Sequence, residues 1–158
     1  IPAARSKMEH QIAEVLPLHI GYTADGWFGV DMPALLPKKE HGGADYIRQN
    51  LYLALGEYFK SHDKLRLDAC VLVVCHRYDR KRPERAYRDH DNIELNAIVD
   101  ALALYALYDE GPLRCEHHYC SLQDDRDATT VLLVPQDAFT VCYTRIKTAP
   151  QMLLPLFP

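Results

Sequence analysis

Asp89-His90-Asp91-Asn92 sets two carboxylates two residues apart, and in an extended backbone both can reach one point in space. Carboxylates ~4 Å apart repel by roughly 4 kcal/mol at an effective dielectric near 20. A converging pair therefore calls for protonation or a cation. Mg²⁺ is the natural cation, being hard, oxygen-seeking and slow to give up its waters, with Mn²⁺ as the substitute. Asp109 and Glu110, beyond the next predicted helix, are candidates to complete the site. The competing reading is that Asp91 caps that helix, with Glu94 at capping-box spacing, while Asp89 pairs with Arg85 or Arg88. His90, between the aspartates, is a minor candidate for a general base.

The stretch before this cluster carries Arg77, Arg80, Lys81, Arg82, Arg85 and Arg88 against Asp79 and Glu84, in a chain of net charge −4. A local basic patch of this kind suits a phosphate backbone even though the whole chain is acidic. Beyond the cluster, Asn92, Asn96 and Asp100 recur every four residues, a polar stripe on a helix whose other face carries Ile93, Ala97, Ala101, Leu104 and Tyr105. Cys115-Glu116-His117-His118-Tyr119-Cys120 holds metal-ligand residue types. On a strand, however, Cys115, His117 and Tyr119 face one side and His118 and Cys120 the other, so buried cysteines and ordinary histidines are the expectation. Lys38-Lys39 is read as a solvated pair, and no Gly-rich phosphate loop, nucleophile elbow or dinucleotide fingerprint occurs.

Asp89-His90-Asp91-Asn92, followed by Asp100-Ala101-Leu102 and then Asp109-Glu110, resembles the signature of RusA-type Holliday-junction resolvases, over roughly residues 26–134. The resemblance implies Asp89 and Asp91 as metal ligands and Asp109 or Glu110 as the third. It implies a Mg²⁺-dependent endonuclease acting on branched or structured DNA, gripped by the Arg77–Arg88 stretch. A homodimer follows, because a four-way junction presents two equivalent strands. The chain departs from the family where a lysine is expected: Glu94-Leu95-Asn96 stands there, with one extra residue before Asp100. Asn96 is therefore the position at which the catalytic cation is replaced. The alternative reading is a catalytically inactive RusA-like binding or regulatory protein of a mobile element.

The elements that must position these residues are legible in outline. Arg5–Leu16 has a short amphipathic helix pattern closed by Pro17, and Gly26–Met32 reads as a strand, alone or in a hairpin. Ala44–Lys60 places Ile47, Leu51, Leu55, Tyr58 and Phe59 at helical spacing. Cys70–Cys75 is a continuous apolar run, the mark of a central strand covered on both faces. The polar-striped helix is predicted over Asn92–Leu107, and Leu113–Leu122 with Thr129–Val134 as a closing hairpin. The whole predicts an α+β fold, a small mixed sheet with helices packed on one face, divided into an N-terminal helical extension (1–16), the RusA-like domain (17–134) and a C-terminal tail (135–158) that packs as a short helix or extended cover.

At 158 residues, with 48% hydrophobic and 25% charged content, one core is expected. Five scattered cysteines and no signal-like apolar start point to a reducing cytoplasm. The apolar runs fall short of the ~20 residues a bilayer span needs, so no membrane partner is expected.

Overall fold

A computed structural model describes residues 16–38, 44–83, 87–88, 93, 95–105 and 113–158 of the chain. The apolar run at Cys70–Cys75 forms the first part of a long strand, Cys70–Asp79 (β3), buried along nearly its whole length. Such burial requires neighbours on both edges and cover on both faces, and the sequence supplies both. The hairpin of His19–Tyr22 (β1) and Phe28–Met32 (β2) turns through Gly26, which adopts φ 90°. Ala44–Tyr58 (α1) precedes β3 and Asn96–Tyr105 (α2) follows it. Cys115–Asp124 (β4), Ala128–Pro135 (β5) and Phe139–Thr148 (α3) complete the series. The described residues thus make a single α+β domain built on a five-stranded mixed sheet.

The sheet order is β1-β2-β5-β3-β4, with β3 and β4 parallel and every other pair antiparallel. This corrects the expected closing hairpin: β4 and β5 are consecutive yet lie on opposite sides of β3. Burial explains the arrangement. The sequence Ala-Thr-Thr-Val-Leu-Leu-Val is covered on both faces and takes an interior place in the sheet, whereas β4 buries only Cys115 and Cys120 and takes the edge.

The expectation of helices on one face is also corrected. Alternate residues of β3 point to opposite sides. Cys70, Leu72 and Val74 join Phe28, Val30, Val131 and Leu133 beneath α1 and α2. Val71, Val73 and Cys75 join Leu132, Val134 and Trp27 beneath α3, which contributes Cys142 and Ile146. The segment after Pro135 is therefore part of the core, and its end returns to the sheet where Phe157 bridges Tyr22.

The second helix begins later than its polar stripe suggests. Ile93 forms a β-bridge with Lys38, and the Leu95 carbonyl accepts the first helical hydrogen bonds, from Ile98 at 2.9 Å and Val99 at 3.1 Å. The described helix thus starts at Asn96, with Leu95 before it, while Asp91, the expected cap, lies outside the described residues. Ile93 and Leu95 are both buried, and that burial holds the chain in its approach to the helix. The amphipathic pattern of Arg5–Leu16 lies outside the described residues up to residue 15. Among the described residues no helix is long and apolar enough to cross a membrane.

Candidate nucleic-acid and metal-binding region

Tyr78, near the end of β3, is fully buried, and its ring stacks on Tyr87 at 4.1 Å between centroids. The Tyr78 hydroxyl accepts the backbone N–H of Arg88 at 2.9 Å, while the Tyr87 hydroxyl accepts Gln123 Nε2 at 3.1 Å. These contacts bring the chain back from the turn after Asp79 onto the end of the sheet. Thus Arg88 on one side of the Asp89–Asn92 motif is pinned to β3. Ile93 on its other side is pinned to Lys38. Asp89, His90, Asp91, Asn92 and Glu94 themselves lie outside the described residues.

Arg88 is partly buried, and desolvation pushes its guanidinium below the usual arginine value. Its Nη1 is buried and has no hydrogen-bond partner among the described residues. A cation in this state, beside two aspartates in sequence, is suited to an anionic neighbour.

Arg77, Arg80 and Arg82 are compensated by carboxylates. Arg77 lies within β3, not in a loop, and its side chain is only 11% exposed. Its Nη2 donates to Asp31 at 2.6 Å and its Nη1 to Asp124 at 2.6 Å. Arg80 pairs with Asp125 at 2.5 Å, and Arg82 holds Asp127 through both Nε and Nη2. The Arg82 hydrogen bond keeps the Asp127 carboxyl below the usual range. Asp124 is also lowered, first by the Asp125 backbone N–H and then by Arg77. Lys81 donates its backbone N–H to Asp79 at 2.9 Å. Arg85 lies outside the described residues.

The parallel register pairs Asp79 with Asp124, which carries the Asp124–Asp127 turn across to the basic stretch. At Arg77, Arg80 and Arg82 the patch read along the sequence is thus an ion-pair network between the ends of β3 and β4. Residues 123–128, between the two segments expected to form a hairpin, hold Asp124, Asp125 and Asp127, and these three aspartates are the signal in the sequence for this role.

Asn96 is the first residue of α2. Asp100, one turn on, accepts from Arg48 at 3.4 Å and ties α2 to α1. Asp109 and Glu110 lie outside the described residues; on their C-terminal side, the Arg114 carbonyl accepts the Cys70 N–H at 2.8 Å. Arg114 and Arg88 are therefore anchored at opposite ends of β3. Eight residues separate Cys70 from Tyr78, about 26 Å at strand rise. Among the described residues no group of three His, Cys, Asp or Glu side chains is set to hold a metal.

The cysteine-histidine segment divides as its strand alternation predicts. Cys115 joins the cluster under α1 and α2. Cys120 lies under α3, and His118 packs edge-on against Phe139 and Tyr143 of that helix. The model of a family of unknown function matches residues 1–153 of the chain. No curated protein matches it.

Proposed function

The chain belongs to that family, DUF6100, and from the residues around its acidic motif we propose that it is a RusA-like, metal-dependent endonuclease of branched or structured DNA. The observation that carries the reading is the anchoring of the motif's two flanks, Arg88 by Tyr78 and Ile93 by Lys38, at the junction of a buried strand and a helix. A site needs such fixed supports, because carboxylates must be held within a fraction of an ångström to bind an ion usefully.

In this reading Asp89 and Asp91 are the ligands, with Asp109 or Glu110 as the third. Mg²⁺ or Mn²⁺ bound there would supply an activated water and neutralise charge developing on the phosphate. Arg88, desolvated and with no partner for Nη1 among the described residues, would take a phosphate oxygen. Arg80 is 59% exposed and could exchange Asp125 for the DNA backbone. Branched DNA and a second copy of the chain are the partners this reading carries.

Asn96 favours a second reading. It opens α2 where a RusA-like site would carry a lysine, and without that cation the charge that appears in the transition state loses a stabilising partner. The chain would then be a catalytically inactive binding or regulatory protein of the same fold. Nicking of a synthetic four-way junction in Mg²⁺ and in Mn²⁺ separates the two. The nuclease reading expects cleavage by the wild type and none by Asp89→Asn or Asp91→Asn, with junction binding kept. Binding without cleavage by both the wild type and Asn96→Lys would leave the binding-protein reading standing.

A further inference from the structure

Cys75 and Cys120 are register partners across the parallel β3–β4 pair, on the face covered by α3. Their Sγ atoms stand 2.7 Å apart. Adjacent strands run ~4.8 Å apart, inside the ~4.4–6.8 Å Cα separation at which a disulfide closes without moving the backbone. We propose that Cys75 and Cys120 are a redox-responsive dithiol, converted by a small hydroperoxide such as hydrogen peroxide into a disulfide that locks the edge strand β4 onto β3.

Access and polarity both support this chemistry. A cavity of about 350 Å³, lined by Cys75 with Leu122, Thr130, Gln151 and Leu153, reaches the Cys75 side of the pair, and Cys120 stands next to it across the 2.7 Å sulfur contact. Hydrogen peroxide is little larger than water, whose share of the liquid is ~30 Å³, so the cavity admits it easily. Cys75 is 1% exposed and Cys120 8%. Either sulfur can donate in this contact; the hydrogen bond with Cys75 holds the Cys120 thiol below its usual value, and Lys147 adds to the effect. Cys75 is correspondingly raised. Cys120 is then the sulfur that reacts first.

The Cys120 thiolate attacks one peroxide oxygen and the O–O bond breaks. Sulfenic acid forms, and the departing hydroxide takes the proton that the thiol lost, leaving as water. The Cys75 sulfur then attacks the sulfenic sulfur and the S–O bond breaks. The second hydroxide leaves as water with the Cys75 proton. Two thiols and one peroxide give one disulfide and two waters, the sulfurs being oxidised and the peroxide reduced.

The other thiols provide internal comparisons. Cys70 and Cys115 are also register partners, but their sulfurs are 3.8 Å apart. Burial pushes Cys142, in the same cluster as the reactive pair, up to about 12.

The test is to expose the native chain to hydrogen peroxide, quench in acid, alkylate the remaining thiols and map peptides by mass. The expected product is a Cys75–Cys120 linked peptide in a chain lighter by two hydrogens, reversed by dithiothreitol, with Cys70, Cys115 and Cys142 still alkylated. Cys75→Ser should stop at a Cys120 sulfenic acid that dimedone captures. Cys120→Ser should slow loss of the Cys75 thiol on the order of tenfold. Three wild-type outcomes overturn the proposal whatever the variants do: all thiols remaining free, Cys120 proceeding to sulfinic acid without a link, or the link joining Cys70 to Cys115.

Discussion

Replacing Arg77 by Met should destabilise the fold severely, because it strips Asp31 of the cation that makes its burial tolerable. The Asp31 side chain is 7% exposed and that of Arg77 is 11% exposed. Without Arg77, Asp31 keeps a hydrogen bond from the Thr130 hydroxyl at 2.8 Å. One neutral donor does not offset a desolvated carboxylate. Breaking a buried pair by removing one partner costs about 3–5 kcal/mol. At about 2–4 °C per kcal/mol for a chain of this size, the melting temperature should fall by roughly 6–20 °C. Arg77→Lys should fall between, since an ammonium cannot fork to Asp31 and Asp124 together. The double variant Asp31→Asn/Arg77→Met removes both charges and should be more stable than Arg77→Met alone. Urea unfolding followed by circular dichroism gives all four values. An Arg77→Met loss below about 1 kcal/mol, or a double variant less stable than the single, would refute the account of Arg77 as a structural cation.

The ion-paired turn also sets a pH response. The folded values of Asp124 and Asp127 are depressed, so their contribution is present above the ordinary carboxylate value near ~4 and is lost as pH falls through the folded values. Urea midpoints should drop over that acid range, and less steeply for Asp127→Asn; parallel curves would count against the Arg82–Asp127 bond. Gly21→Ala should cost about 1–3 kcal/mol, because a Cβ at Gly21 would clash with the Phe157 carbonyl oxygen and push away the C-terminal bridge; an unchanged urea midpoint would dismiss that contact. If the turn binds DNA, Asp125→Asn/Asp127→Asn should free Arg80 and Arg82 and steepen the salt dependence of junction binding by up to about 0.9 in log-log slope per phosphate gained, measured by fluorescence anisotropy. Arg80→Ala/Arg82→Ala should flatten it, and two unchanged slopes would remove these arginines from the interface.

Much of the scaffold was legible because its signals are local. The helix at Ala44–Tyr58 follows from Ile47, Leu51 and Leu55 at helical spacing, and β3 follows from an apolar run too continuous for a half-exposed strand. The misread features depend on distant partners. The tight sequence between Leu113 and Val134 resembled a hairpin, yet insertion of β5 between β2 and β3 is decided by the burial of Val131–Val134 against two helical layers. Asn92 belongs to the polar stripe by spacing, but the helix starts only at Asn96, because Ile93 is drawn into a bridge with Lys38, distant in sequence.

The same distinction governs the candidate site. A charge run counted along the chain assumes that its neighbours in space are its neighbours in sequence. Here β3 and β4 are parallel and in register, so residues 45 apart become partners. That offset brings Asp124, Asp125 and Asp127 to Arg77, Arg80 and Arg82. It also makes two cysteine pairs. Cys70 and Cys75 are five residues apart, as are Cys115 and Cys120, so the parallel register that pairs Cys70 with Cys115 pairs Cys75 with Cys120 as well. Because five is odd, the pairs must fall on opposite faces of the sheet, one under α1 and α2 and the other under α3. The register that neutralises the arginines is therefore the same register that sets Cys75 against Cys120. A change that slips β4 by one residue should release the basic patch and separate the sulfurs together.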